Sequence, residues 1–308
     1  MPHFLDVLFL DYNLRMASRR LSSLASKLFV CAAATLLMQL SFSVPAQQRP
    51  PQSAGRTLLL PRTIVSGDRA TLAVIDSNGR LTPRATVVFS NGDRLTTDAT
   101  GRALFVAPLN PGVIRGSIAG RPGNASTIIL PSSETTVAPV AVTAIPTITS
   151  LTDRFEIVGH GFCGDADANQ VTISGQTAFV LASSPTALLI MPPADLEPGR
   201  ASVDLSCGKQ NGPALEVVFV ALELQADSSP LAPGVHRTLT VHVRGTRDKV
   251  QLEARNLAPD VTDLTGGNPA HVSSSGGWDN IAHFEVVGRK SGGFQISIRL
   301  SSSAPRPH

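Results

Sequence analysis

Charge, aromatic side chains and cysteine are all scarce in this 308-residue chain. Charged residues make up 16% of it and aromatics 5%, with one Trp, one Tyr and three Cys. Little charge beside 42% hydrophobic residues excludes a disordered polyelectrolyte and leaves enough apolar matter for folded cores. The formal excess of three positive charges is no footprint of a nucleic acid. Residues 1–46 hold four basic and two acidic residues, and removing them from totals of 26 and 23 leaves 22 and 21 with no basic run. Few aromatics weaken a sugar-binding reading, since pyranose rings commonly stack on aromatic faces. The only Tyr is Tyr12, and the only Trp is Trp278. The chain also lacks a Gly-x-Ser-x-Gly elbow, a His-Glu-x-x-His helix, a phosphate-binding glycine loop and a dinucleotide fingerprint. These absences point to a non-enzymatic protein with neither cofactor nor metal.

What is present begins with a targeting pattern. Arg19, Arg20 and Lys27 precede an apolar stretch, Leu28–Phe42, too short for a comfortable membrane span, and Val44 and Ala46 stand at small-residue positions. A secretory signal over residues 1–46, cleaved after Ala46, is expected, with translation starting at Met16 because residues 1–15 precede the pattern oddly. The mature chain then has no stable membrane span. It works in the periplasm, at the cell surface or outside the cell. Cys163 and Cys207 are the cysteines left, an even number in an oxidising compartment, and a structural disulfide is expected. Closing that loop would be worth roughly 4 kcal/mol in a simple polymer model.

Gly 25 and Pro 23 are scattered along the chain, which suits short strands joined by turns. After a linker over residues 47–56, a first unit runs over 57–131. In it ATLAVID is followed by Ser77-Asn78-Gly79, ATVVFS by Asn91-Gly92-Asp93, and RALFVAP is preceded by Asp98-Ala99-Thr100-Gly101. Leu72 and Val74, then Val87 and Phe89, fall on one side of a period-2 pattern and predict a core face. A stretch rich in Thr, Val, Ala and Pro, residues 132–144, reads as a second linker. A second unit spans 145–223 and a third spans 224–308. In the third, Leu239, Val241 and Val243 alternate with Thr240, His242 and Arg244, the mark of a half-buried strand. The predicted fold class is therefore all-β, three tandem sandwich domains.

Two stretches carry a family likeness. VIDSNGRLTPRATVVFSNG followed by TTDATGRALFVAP resembles the bacterial immunoglobulin-like domains of intimin and invasin type. Residues 145–223 are similar to the IPT/TIG family of immunoglobulin-like modules, on Gly159, Gly161 and Phe162, then Asn169, Val171 and Gly175, then the Pro192-Pro193 and Pro198-Gly199 breaks. These resemblances imply immunoglobulin-like sandwiches of the kind found on receptors, bacterial exported proteins and polysaccharide enzymes. The third unit matches no recognised family.

Candidate chemistry is sparse. Asp165, Asp167 and Asn169 open like a calcium loop, but Gln170 and Gln176 stand where Gly and a bidentate acid are needed, so a solvated turn is expected. His236, His242, His271 and His283 lack ligand spacing and read as surface residues. Trp278, Asp279 and Asn280, in a turn-rich stretch, form the candidate contact loop, although a Trp in such a place is more often part of a core. The expected function is an exported binding or spacer module whose partner is a protein or a glycan at the cell exterior. The alternatives are an accessory carbohydrate-binding protein of a polysaccharide-degrading system and an enzyme with an unrecognised site in the third unit. Titrating glycans against Trp278 fluorescence separates the carbohydrate alternative.

Overall fold

In the computed structural model, residues 55–121, 123–132, 139–225, 231–272, 280–291 and 294–301 are described. The predicted signal, its cleavage after Ala46, the start at Met16, and Trp278 and Asp279 lie outside them. The described residues are almost wholly strand and loop, and one 3₁₀ turn, Ala166–Ala168, interrupts them.

The first unit contributes β1 (Thr57–Leu59), β2 (Thr63–Val65), β3 (Arg69–Ile75), β4 (Thr86–Phe89), β5 (Arg94–Thr96), β6 (Arg102–Val106), β7 (Gly112–Ile118) and β8 (Asn124–Leu130). Strands β1, β3 and β6 face a five-stranded sheet of order β2-β8-β7-β4-β5. The period-2 expectation holds: Leu72, Val74, Val87 and Phe89 are all buried in one cluster with Phe105, Ile114 and Ile129. The predicted turns close the strands. At Gly101 the backbone needs φ of +77°, and a Cβ there would stand 2.6 Å from the Thr82 amide nitrogen, so no other residue fits without a shift.

The second unit contributes β9 (Val140–Ile145), β10 (Ile148–Ser150), β11 (Phe155–His160), β12 (Asn169–Ile173), β13 (Gln176–Thr177), β14 (Phe179–Ser184), β15 (Ala187–Met191), β16 (Gly199–Cys207), β17 (Gln210–Asn211) and β18 (Leu215–Gln225). Its core joins Ile157, Leu188 and Ile190 to Val171, Val203 and Phe219, and Phe155 meets Phe219 edge to face with centroids 5.4 Å apart. Strand β9 starts inside the stretch read as a linker and pairs with β11. The run Val140-Ala141-Val142-Thr143 is strand-forming, and its thin apolar face is enough once β11 supplies a partner.

The third unit adds β19 (His236–Arg244), β20 (Val250–Asn256), β21 (Thr262–Gly266), β22 (Ala270–Val272), β23 (Asn280–Gly288) and β24 (Ile296–Leu300). Leu239, Val241 and Val243 are buried as the alternation predicts, packed with Leu252, Phe284 and Val286.

The units are welded rather than strung. Strand β18 is shared: Leu215–Phe219 pair with β16 of the second unit, and Ala221–Gln225 pair with β19 of the third. The boundary expected between residues 223 and 224 thus falls inside one continuous strand. At the other seam β3 meets β14 through Thr71 and Ser183, so one sheet runs from the first unit into the second. The outward side of β3 is covered there. Leu59, Ala73 and Ile75 bury against Leu181, with Leu189 and Met191 beside them. Each fully buried Leu or Ile is worth about 1.5–3 kcal/mol over leaving it in water, so burying Leu59, Ile75 and Leu181 favours the seam.

Polar groups complete it. The Thr71 hydroxyl donates to the Gly164 carbonyl at 2.9 Å and accepts from the Ala166 N–H at 3.1 Å. The Ser184 hydroxyl donates to the Thr63 carbonyl at 2.7 Å. The Glu156 carboxylate, on a buried residue, accepts from the Arg62 N–H at 2.8 Å and Nε at 3.1 Å. Arg102 crosses the seam almost fully buried, with its side chain 8% exposed, reaching Asp167 at 2.6 Å and the Val180 carbonyl at 3.3 Å while lying 5.3 Å from the centre of the Phe179 ring.

Candidate functional site

Strands β5 and β6 end the two sheets of the first unit. β5 closes the order β2-β8-β7-β4-β5, and β6 pairs with β3 alone. Between them opens a groove of about 290 Å³. Phe89, Phe105 and Ile114 form its floor, Leu95, Val106 and Pro108 its walls, and Asp93 and Arg94 its lip. The two floor rings lie 5.3 Å apart. Strand alternation explains the shape: Phe89 and Phe105 point into the sandwich and are nearly buried, and among the described residues no further strand covers the side between the sheets. Val106, a lining residue, is 63% exposed, so part of the groove's apolar wall faces solvent.

The hairpin turn shapes the lip. Asn91 accepts from the Asp93 N–H at 3.1 Å and donates to its carboxylate at 2.7 Å. The Asp93 charge is thereby turned onto Asn91, and the Arg94 guanidinium has no partner among the described residues. A second acidic turn ends the groove strand. The Asp98 carboxylate accepts from the Thr100 N–H at 2.7 Å, the Thr100 hydroxyl at 2.6 Å and the Arg102 N–H at 3.2 Å. Burial pushes this carboxyl up, but the Thr100 and Arg102 hydrogen bonds, together with the Arg102 charge, outweigh it and hold the group below its ordinary 3.8.

The residues singled out in the sequence are dispersed. Cys163 and Cys207 form the expected disulfide, with Cα atoms 5.4 Å apart, at the end of the second unit. Asn280, placed in the contact loop by its sequence context, is instead 2% exposed. It opens β23 opposite Val243 and donates to the Thr246 carbonyl at 3.2 Å, because the strand begins earlier than the Gly- and Ser-rich composition suggests. The Asp165–Asn169 run is a 3₁₀ turn with Asp167 exposed, and Asn169 at its end is buried. Asp165 caps the 3₁₀ turn by accepting from the Asp167 N–H, Asp167 pairs with Arg102, and buried Asn169 bonds both the N–H and the carbonyl of Cys163. Its side chain does what a backbone turn would otherwise do. Of the histidines, His236, His271 and His283 are exposed and His242 is half-buried. Among the described residues no group of three His, Cys, Asp or Glu side chains is placed to hold a metal ion, and no helix is long and apolar enough to cross a membrane.

The groove itself was not read from the sequence. Its signal lies in RALFVAP: alternation that sends Ala103 and Phe105 inward sends Leu104 and Val106, both apolar, outward.

No family model and no curated protein matches the chain. Among solved structures, SGBP-B of the Bacteroides ovatus mixed-linkage glucan utilization locus, in complex with a mixed-linkage heptasaccharide, is 14% identical over 78% of this chain and 72% of that one, with a TM-score of 0.30. An auxiliary nutrient binding protein from Bacteroides thetaiotaomicron is 19% identical over 37% of this chain and 35% of that one, at 0.25. Domains 1–6 of the surface layer protein SbsC are 14% identical over 81% of this chain and 39% of that one, at 0.19. The chain spans only 21% to 39% of the length of several such structures. Likenesses of this size carry no inference about ligand or activity.

Proposed function

We propose that this chain is an exported, non-enzymatic binding protein that carries its contact surface on a stiff framework of immunoglobulin-like units, the second of IPT/TIG character. The observation that carries the reading is the groove between β5 and β6. It is concave, floored by Phe89 and Phe105, and bordered by exposed Val106. Apolar surface of that kind is costly to leave in water, and it marks contact sites in soluble proteins. The seams supply the stiffness. The pairing of β3 with β14 and a buried arginine fix the first unit on the second, so the groove is held at a constant aspect. The disulfide and the signal-like N-terminal pattern support a site of action outside the cytosol.

Two measurements test this. Titrating residues 47–308 with a small apolar probe such as tert-butanol should give saturable NMR shifts at the Leu95, Val106 and Ile114 methyls. Shifts no larger there than elsewhere would remove the groove as a site. Fractionating the native host with an antibody to residues 47–308 should recover the chain outside the cytosol with Cys163 and Cys207 oxidised, and recovery in the cytosol with free thiols would overturn the export reading.

A further inference from the structure

The backbone along the groove carries more information than its side chains. In the β3–β6 ladder the Val74 N–H donates to the Gly101 carbonyl, and the Ala107 N–H donates to the Asp68 carbonyl. With Ala73 opposite Arg102 and Ala70 opposite Phe105, the bonded pairs are those of Ala103 and Phe105. Arg102, Leu104 and Val106 therefore turn their N–H and C=O groups the other way. Arg102 spends both on Asp98, whose carboxylate takes its N–H and whose own N–H donates to its carbonyl at 2.8 Å. Leu104 and Val106 have no strand beside them among the described residues.

The result is a short open window. The Asp98 turn closes one end and Pro108, which has no N–H to give, closes the other. Within it two residues about 6.8 Å apart offer two donors and two acceptors in strand register. Edge strands are usually blunted by charge or proline because an open edge invites another chain. Here both edge residues are apolar and exposed, Leu104 at 39% and Val106 at 63%. Charge lies nearby and unspent: Arg69, the cross-strand partner of Val106, and Arg94 at the lip both lack a carboxylate partner among the described residues.

We propose that the free edge of β6 binds an extended peptide of another protein by strand addition, with an apolar side chain of the peptide in the groove and an acidic one facing Arg69 or Arg94. The proposal rests on reading the groove as a binding site and adds the chemistry of its occupant. Main-chain pairing supplies the affinity, and the pocket and the arginines supply the selection.

The test uses residues 47–308 and the peptide acetyl-Thr-Val-Glu-Val-Thr-amide at about 1 mM, a range suited to weak association. The Leu104 and Val106 amides should exchange with solvent about tenfold more slowly in its presence, with other amides unchanged. The same peptide N-methylated at both Val residues should give no protection, and a Lys in place of Glu should weaken binding at low salt. V106P, which removes one donor at an edge position where proline is tolerated, should abolish binding while leaving the melting temperature close to the parent's. The N-methylated peptide keeps the test decisive should that variant fold poorly. Equal binding of the N-methylated peptide, or no protection by the parent peptide, overturns strand addition. If tert-butanol still shifts the groove methyls in that case, the binding-site reading survives alone. Protection that grows with chain concentration in the absence of peptide would assign the edge to a second copy and also overturn the proposal.

Discussion

Arg102 shows how one side chain can serve two units at once. Its guanidinium is buried and donates to Asp167, the Val180 carbonyl and the Thr100 hydroxyl, and its backbone is held by Asp98. The partners are unequal, since the Asp167 side chain is 74% exposed. Arg102→Met should therefore lower stability by about 1–3 kcal/mol, because the Val180 carbonyl loses a donor and the seam loses a packed side chain. Asp167→Asn should cost less than about 1 kcal/mol. Urea unfolding of the two variants checks the order. Asp98 adds a pH dependence. Its carboxyl is held below 3.8 in the fold, so its contribution is present above the unfolded value and is lost as pH falls through the lower folded one. Asp98→Asn should melt below the parent at pH 7, and the gap should close as the pH drops below 3.8, as thermal scans across pH would show.

At the scale of elements, the seam between β3 and β14 depends on small groups in close register. Thr71→Val keeps the shape but strands the Gly164 carbonyl and the Ala166 N–H, and should cost about 1–3 kcal/mol. A Cβ on Gly164 would lie 1.9 Å from the Arg69 carbonyl oxygen, so Gly164→Ala should push the two elements apart and cost more than Thr71→Val. Calorimetry of both variants tests this ranking. The disulfide acts within the second unit. Replacing Cys163 and Cys207 together by Ser should cost about 2–4 kcal/mol, measured against the parent in urea with and without reductant. The fold of this unit should survive, because its core of Phe155, Ile157 and Phe219 does not involve the cysteines.

For the whole molecule the seams predict cooperative unfolding. A fragment of residues 57–131 exposes Leu59, Ala73 and Ile75, which the intact chain covers with Leu181, Leu189 and Met191. It should bind a hydrophobic dye and aggregate at concentrations where residues 47–308 stay monomeric, as light scattering would report. Residues 57–223 should restore the parent's behaviour at that seam.

Much of this was legible in the chain. Alternation found the inward faces of β3, β4 and β19, the Asp- and Asn-Gly turns found the strand ends, and cysteine number found the disulfide, because each is a local rule acting over a few residues or a simple count. The seams were not found, although ATLAVI is apolar on both faces: alternation shows that a second face is apolar but does not say what covers it. The burial of Asn280 and Asn169 was not legible for the same reason, since burial of a polar side chain depends on partners such as Thr246 and Cys163 that local composition does not reveal. The groove belongs to this class too. The sequence determined strand identity, side-chain direction and crosslink, which depend on period and chemistry. Only the tertiary structure decided which sheet edges meet, which buried arginine finds a carboxylate and which edge of β6 stays open, because those are contacts between segments far apart in the chain.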